Sequence, residues 1–494
     1  STPLAAGLLL LAALASAGVP PEVEAALLKA KANRAELEKV LAHYAKDPPK
    51  LAAAKFLIAN MEGHGYVVFS LFDKDGKEVP FDALAYRNFA EAQAAHDALE
   101  TKHGTLEDKK TRTEDLEAIR ADFLIENIDL AFEAWRGHPW AEAIPFEVFC
   151  ETILPYRASE EPLVPWRRAC RDRLAEVYRK LDTRDPEAAC RAVLAAAGRW
   201  IGFDEIYYLH PTDQGYDEMC RTKLGRCEDI SNMMLYAARA SATLSATDYT
   251  PAWADRDNNH AWEVVLDSQG HGDAPLAHRA AKIYRKTFAI ERSSLGAIRG
   301  DEPVPRWLSG THFKDVTPGY IETTDVTVKV EGSGRFAYLC VFNDGEWVAI
   351  HWARVEDGSA TFTAMGRGIA YLPARYDGKE LLPAGPPLLL LEDGSITPLP
   401  GTGPVTSLAA KATGPRKTSP DTKEVTPASF LFMGKTYVLH RWEGGWKAQG
   451  EGAAGEAPLR FDGLPGDGLY WLVEDGSRGL ERIFTIDGGE QRWW

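Results

Sequence analysis

Apolar positions recur with a helical period through the first part of the chain and with a strand-like pattern through the last part. In residues 20–62 and 114–210, large apolar side chains return every three or four positions, as on one face of an α-helix. From about residue 312, short apolar runs alternate with Gly and Asp turns, which is typical of antiparallel strands. The pattern therefore predicts a mostly helical N-terminal part and an all-β C-terminal part.

The segment between these two parts contains both kinds of element. A helix is predicted to begin at Cys227, because Ile230, Met233 and Ala237 place apolar side chains on one of its faces. Strands are predicted over residues 249–254 and 260–266, and the second is followed by the turn sequence Asp-Ser-Gln-Gly. This order of helix and strands predicts an α+β core.

The β part contains an internal repeat with a constant offset of 99 residues. The matched pairs are Tyr338 and Tyr437, Gly345 and Gly444, Trp347 and Trp446, Phe362 and Phe461, and Tyr371 and Tyr470. We interpret the repeat as two tandem all-β modules, over 312–396 and 428–494. The residues between them, 397–427, are rich in Pro, Thr, Gly and Lys and are predicted to be a linker. Tryptophans at matched strand positions favour a core role, whereas exposed tryptophan rows would favour glycan binding.

Length and charge narrow the class of protein. A chain of 494 residues is too long for one core, so we predict an α+β multidomain protein with a helical region over 19–135 and the core over 136–311. The formal net charge of −16, without any basic run, argues against binding to nucleic acids or anionic lipids.

The first eighteen residues are apolar and end in Ala15-Ser16-Ala17, a small-x-small cleavage pattern. The segment is short for a membrane helix and predicts a secretory signal peptide over 1–18, hence a periplasmic or extracellular protein. The alternative is a hydrophobic N-terminal helix of the folded protein. No other stretch of the sequence predicts a membrane span.

Two short motifs carry the chemistry of a thiol nucleophile. Cys227 follows Gly225-Arg226 at a predicted helix start, where free N–H groups and the helix dipole favour a thiolate. His260 opens an apolar strand and supplies an imidazole that could remove the thiol proton. The six cysteines include no Cys-x-x-Cys pair, so we predict neither a zinc site nor any other metal or organic cofactor.

Together, these motifs resemble the transglutaminase-like superfamily, a papain-related group with a Cys-His-Asp triad on an α+β core. The resemblance covers about residues 165–290, and the longer sequence is similar to exported bacterial multidomain members. The segments that carry it are 223–229, 258–262, 284–288 and, upstream, 146–157. The resemblance implies a transglutaminase-like core that acts as a cysteine protease, amidase or acyl transferase.

The third triad member departs from the family pattern. The usual position on the returning strand is occupied by Leu276-Ala277-His278, without a carboxylate. Of the remaining candidates, Asp267 falls in the turn, about 23 Å along the strand from His260 at roughly 3.3 Å per residue. Asp273 lies on the return limb and is the preferred orienting carboxylate, with Asp229 and Glu263 as further alternatives.

Three more residues are candidates for substrate or oxyanion contacts. The resemblance implies an oxyanion donor upstream of the cysteine, and Gln214 has the suitable amide. Trp262 is expected to pack against the imidazole, and Asn259 is expected to orient the histidine or form the turn before it. The expected substrate is a peptide, protein or glycopeptide.

Two alternatives to the cysteine enzyme remain open at this point. The missing carboxylate favours a catalytically impaired scaffold whose β modules bind glycan or protein. In a third interpretation, the tandem modules are sugar-binding domains that accompany a catalytic core.

Overall fold

A computed structural model describes residues 20–415, 430–477, 479 and 481–494. The predicted signal peptide over 1–18 and much of the predicted linker lie outside the described residues. The chain is an α+β multidomain protein, built from helices and several mostly antiparallel sheets.

Helices dominate the first 240 residues, as the periodicity predicts. They are α1 (Pro21–Lys29), α2 (Arg34–His43), α3 (Pro48–Ala59), α4 (Phe89–His103), α5 (Asp115–Ala118), α6 (Ala121–Gly137), α7 (Phe146–Val148), α8 (Arg167–Lys180), α9 (Pro186–Ala197), α10 (Tyr216–Thr222) and α11 (Cys227–Ala240). A short helix, α12 (Leu295–Ile298), follows later. A small antiparallel sheet, in the order β2-β1-β3, lies among them and consists of β1 (Gly65–Phe72), β2 (Glu78–Val79) and β3 (Glu107–Glu114).

The helical region and the predicted core share one hydrophobic interior. Leu57 of α3, Ile128 of α6 and Phe149 after α7 belong to the same buried cluster as Ala246 and Val264 of the central sheet. The N-terminal helices therefore pack directly on the elements that carry the candidate site.

Four antiparallel strands form the central sheet, in the order β7-β6-β8-β9. They are β6 (Ser245–Thr250), β7 (His260–Val265), β8 (Tyr284–Lys286) and β9 (Phe313–Asp315). A separate two-stranded parallel pair joins β4 (Gly202–Phe203) to β5 (Leu224–Gly225), directly before α11. The described start of β6 lies four residues before the predicted one.

The remaining strands form two sheet systems that follow the sequence repeat. The first contains β10 (Thr323–Lys329), β11 (Phe336–Asn343), β12 (Glu346–Glu356), β13 (Ser359–Gly366), β14 (Ile369–Tyr376), β15 (Leu381–Pro383), β16 (Leu388–Leu390) and β17 (Ile396–Pro398). The second contains β18 (Val405–Ala410), β19 (Thr436–Trp442), β20 (Trp446–Ala453), β21 (Leu459–Pro465), β22 (Tyr470–Glu474), β23 (Ile483–Asp487) and β24 (Glu490–Trp493). Strand β18 pairs with β21 although its residues fall in the predicted linker.

The repeat is visible in equivalent hydrogen bonds. The buried Tyr371 hydroxyl donates to the Gly366 carbonyl at 2.7 Å, and the buried Tyr470 hydroxyl, 99 positions later, donates to the Pro465 carbonyl at 2.6 Å. The same residue spacing therefore fixes the same strand connection in both modules.

Tryptophans of the two modules pack against each other at the module interface. The rings of Trp347, Trp446 and Trp471 surround Phe342 with centroid distances of 5.3 to 5.6 Å. Trp442 contacts Trp347 at 5.6 Å. This packing assigns the repeat-matched tryptophans to an interior between modules. Within the described residues, no helix combines the length and apolar character needed to cross a membrane.

Candidate active site

Cys227 is the first residue of α11 and differs in exposure from the other cysteines. Its side chain is exposed, whereas Cys220 is half-buried and the remaining four cysteines are buried. The N–H groups in the first turn of a helix lack helical acceptors and favour negative charge nearby. The exposed thiol therefore stands where an attacking sulfur could meet a ligand from solvent.

Asp229 fixes the start of this helix. Its buried carboxylate accepts hydrogen bonds from the backbone N–H groups of Arg226 and Gln214, both at 3.0 Å. The first contact is the third-residue half of a capping box, and the second attaches the helix start to the preceding loop. Asp229 is thus used to position the backbone around Cys227.

Two side chains lie close to the sulfur. The Tyr208 hydroxyl is 3.9 Å from Cys227 Sγ, and Glu228 Oε2 is 3.8 Å from it. Burial, together with the neighbouring Cys227, raises the pKa of Tyr208, so the phenol remains a proton donor at neutral pH. Sequence reasoning missed Tyr208, because its contact with Cys227 depends on the path of the intervening loop.

A cleft of about 650 Å³ opens next to this helix start. Its lining includes Glu228 of α11, Thr247 and Tyr249 of β6, and Lys286 of β8. The N-terminal region contributes Arg112 to the opposite wall. The cleft therefore extends along α11 and the central sheet and includes Glu228, the residue after Cys227, but not Cys227 itself.

His260 lies at the end of the central sheet that is nearer to Cys227, the first residue of α11. Helix α11 packs on β6 and β7, and a short turn after Ala240 sends β6 back along the helix. The last residue of β6, Thr250, is paired with His260. A helix of fourteen residues and a strand of six have similar lengths, about 20 Å and 17 Å, so both motifs lie at the same end.

The side chain of His260 nevertheless belongs to a different sheet face from Thr247 and Tyr249, which line the cleft. Its imidazole stacks with Trp262 at 5.6 Å and with Trp253 at 6.1 Å between centroids. Cross-strand pairing places His260 and Trp262 on the face of Asp248, whereas Thr247 and Tyr249 project from the other face. Among the described residues, no hydrogen bond joins the imidazole to Cys227.

Trp262 and Asn259 are placed differently around the histidine. The Trp262 indole stacks on the imidazole, as expected, and donates to the Tyr320 hydroxyl at 3.1 Å. That hydroxyl in turn donates to Asp248 at 2.6 Å. Asn259 is exposed, and its backbone N–H donates to the side chain of Asn258, so it takes part in the turn before the strand.

Asp273 lies at the opposite end of β7 from His260. Gly272 packs so closely on the Val265 carbonyl that an added Cβ would come within 2.2 Å of its oxygen. Five strand intervals separate Val265 from His260, about 17 Å at 3.3 Å per residue. The exposed Asp273 side chain has no hydrogen-bond or ion-pair partner in the described ranges. This placement gives Asp273 no contact through which it could orient the imidazole.

Gln214 is completely buried and holds the loop before Cys227. Its Nε2 donates to the Leu224 carbonyl at 2.9 Å, and its Oε1 accepts from the Thr222 hydroxyl at 2.9 Å. Both ends of the Gln214 amide are therefore bonded to the loop itself, and Gln214 positions the peptide chain before Cys227. These contacts do not present the amide as a free oxyanion donor.

The loop that leads into His260, residues 251–259 and here called the His260 loop, is held by both β modules. Asn343 Nδ2 lies 2.9 Å from the Trp253 carbonyl, 2.9 Å from that of Arg256 and 3.0 Å from that of Asn258. Arg482, from the second module, donates to the Ala254 carbonyl at 2.6 Å. The position of His260 therefore depends on residues far away in sequence.

One group of side chains outside this region has the composition of a metal site. His96, Asp97 and Glu100 on α4 have ligand atoms within 4.8 Å of one another. Asp97 and Glu100 already accept hydrogen bonds from Gln93 and from the Leu106 N–H. Only Asp97 of the three is exposed, and we assign no ion to the group.

Comparison with known proteins finds no matching family model, no matching curated protein and no matching solved structure.

Proposed function

We propose that this protein is a cysteine-dependent hydrolase or acyl transferase that acts on peptide or carboxamide bonds, with Cys227 as the nucleophile. The observation that carries the proposal is the exposed thiol at the first residue of α11, beside the Tyr208 hydroxyl and next in sequence to Glu228, which lines the cleft. The similarity of the Cys227 and His260 motifs to the transglutaminase-like superfamily supports the same reaction class.

In this proposal, the sulfur forms a bond to the carbonyl carbon and the C–N bond breaks as the amine leaves with a proton. Water or an acceptor amine then cleaves the thioester and releases the thiol. His260 is the proposed general base and acid, which requires the start of β7 to turn the imidazole towards the cleft. Free N–H groups of the first turn of α11, together with the Tyr208 hydroxyl, are suited to stabilise the oxyanion.

Alkylation by iodoacetamide at pH 6, followed by peptide mass spectrometry, tests the thiol. We expect Cys227 to react at least about tenfold faster than the half-buried Cys220, because exposure and the helix terminus both favour its thiolate. His260→Ala should slow the reaction of Cys227. His271→Ala, which removes another exposed imidazole, is the matched control and should leave the rate unchanged.

A non-enzymatic scaffold whose β modules bind glycan or protein is the second candidate. It is favoured by the Glu228 carboxylate 3.8 Å from the sulfur, which disfavours a thiolate, and by the stacking of the His260 imidazole on Trp262. Labelling of Cys227 at the rate of Cys220, with no effect of His260→Ala, would support the scaffold and exclude the thiolate pair.

A further inference from the structure

Three large apolar side chains are exposed in the segment that precedes Cys227. Phe203 is 55% exposed, Tyr208 is 51% exposed and Leu224 is 39% exposed. Apolar surface left in water is unfavourable by about 25 cal/mol per Å², and a contiguous exposed group commonly marks a binding site. We refer to the side chains of Phe203 and Tyr208, whose rings are in contact, as the thiol-side patch.

The thiol-side patch is continuous with the nucleophile. The rings of Phe203 and Tyr208 are in contact, with centroids 6.2 Å apart, and the Tyr208 hydroxyl reaches to 3.9 Å from Cys227 Sγ. Leu224 is paired with Gly202, so its side chain lies on the face of the strand pair opposite to Phe203 and outside the patch, which consists of Phe203 and Tyr208. A ligand on the patch therefore also faces the sulfur.

Hydrogen bonds hold the backbone of the patch in place. The Gly202 N–H donates to the Lys223 carbonyl at 2.9 Å, and the Asp204 N–H donates to the Gly225 carbonyl at 3.0 Å. The buried Gln214 amide donates to the Leu224 carbonyl. Because both strands of the pair are fixed from inside, the side chains stay on the surface and cannot easily move into the core.

We propose that the thiol-side patch binds a large apolar side chain of the acyl donor, next to the carbonyl that Cys227 attacks. The substrate class is accordingly a peptide or amide with an aromatic or large aliphatic group beside the reacting bond. This inference rests on the proposed role of Cys227 as a nucleophile. An apolar ligand group would cover surface that is otherwise exposed, and the Tyr208 hydroxyl would stay beside the sulfur.

Chloromethyl ketones of acetyl-phenylalanine, acetyl-glycine and acetyl-aspartate test the proposal on the full chain. In each case the thiolate displaces chloride, so that one S–C bond forms and one C–Cl bond breaks. We expect the phenylalanine reagent to modify Cys227 at least about tenfold faster than the glycine reagent, within the range that apolar recognition provides. The aspartate reagent should be the slowest.

Phe203→Ser should bring the ratio of phenylalanine to glycine rates down to about threefold or less, whereas Leu224→Ser, on the opposite face of the strand pair, should preserve it. Both positions are exposed, so the fold should tolerate the changes. Phe432→Ser, which removes an exposed phenylalanine of the second β module, is the matched control and should preserve the ratio.

The possible failures are distinguishable. Cys227 that reacts rapidly with iodoacetamide but equally with all three ketones overturns the patch and leaves the nucleophile intact. Cys227 that reacts slowly with iodoacetamide overturns the proposed function itself. A ratio that persists in Phe203→Ser, or that falls equally in Leu224→Ser, assigns the selectivity to another surface and also overturns the patch.

Discussion

A single buried carboxylate determines how the nucleophile-bearing helix begins. Asp229 accepts hydrogen bonds from the N–H groups of Arg226 and Gln214, and these two bonds join the helix start to the loop before α10. A buried donor that loses its acceptor costs more free energy than the hydrogen bond itself contributes. The geometry around Cys227 is therefore sensitive to this side chain, although Asp229 does not contact the sulfur.

Asp229→Ala should destabilise the protein by about 1–2 kcal/mol, because it removes a helix cap and leaves buried N–H groups without an acceptor. The thermal midpoint, followed by circular dichroism, should fall, and the alkylation rate of Cys227 should fall with it.

Asp217→Ala is the control for this change, since Asp217 lies in the first turn of the neighbouring α10 and is exposed. This substitution should alter neither the thermal midpoint nor the alkylation rate of Cys227 measurably. Equal effects of the two substitutions would show that Asp229 has no special role at the helix start.

The His260 loop illustrates how one element is shaped by others. Its carbonyl groups point at the side chain of Asn343, at the end of β11, which is 3% exposed. Asn258 has a positive φ of 75°, a conformation that non-glycine residues adopt at some cost. The β modules thus supply the donors that keep a strained loop in place before His260.

Asn343→Asp should release this loop, because it replaces the donor by a negatively charged acceptor facing three carbonyl groups. A cost of about 1–3 kcal/mol corresponds to local opening that is roughly 5- to 150-fold more frequent. Hydrogen exchange of residues 253–259, measured by mass spectrometry, should accelerate accordingly.

Asp344→Asn changes the charge at the adjacent, exposed position while its backbone N–H keeps its bond to Asp257. It should leave exchange in the loop unchanged. If Asn343→Asp also leaves exchange unchanged, the first β module does not hold the loop.

The N-terminal helical region and the central core meet across a half-buried pair of histidines. The ring centroids of His64 and His312 lie 4.0 Å apart, and the His64 ring stacks on that of Phe288 with a centroid distance of 4.4 Å. Burial, together with the nearby His312, holds the pKa of His64 well below its usual range, and burial likewise lowers the pKa of His312. Both rings are therefore neutral in the folded protein at neutral pH.

These lowered pKa values predict loss of stability in acid. The unfolded chain takes up protons on histidine near pH 6.5, whereas the folded protein does so only at lower pH. Below about pH 6.5 the unfolded state binds more protons, so the free energy of unfolding falls as the pH decreases. The thermal midpoint should fall between pH 7 and pH 5, and less steeply in His64→Phe.

His43→Phe removes an exposed histidine of α2. Its thermal midpoint should fall with decreasing pH as steeply as that of the unsubstituted protein. A slope that is the same in all three proteins would show that the His64–His312 contact does not link protonation to folding.

Local patterns predicted those elements whose signal lies in neighbouring residues. The helix at Cys227 begins where its apolar period begins, and His260 opens β7 as expected. Strand β6 begins four residues before its predicted start. The strand is buried on both faces, and polar residues such as Ser245 and Thr247 interrupt the usual alternation of apolar and polar positions. Part of the predicted linker forms β18, since its pairing partner β21 lies some fifty residues later.

The sequence by itself therefore determined the order of helices and strands, the duplicated β modules and the cysteine that heads a helix, because each of these is encoded in adjacent or regularly spaced residues. Only the tertiary structure decided that Gln214 is buried in a loop, that Asp273 lies at the far end of β7 and that His260 stacks on tryptophans. It also brought Tyr208 to the sulfur. These placements depend on which distant segment of the chain packs on each surface. The spacing of apolar residues within one segment does not indicate which other segment will pack on it.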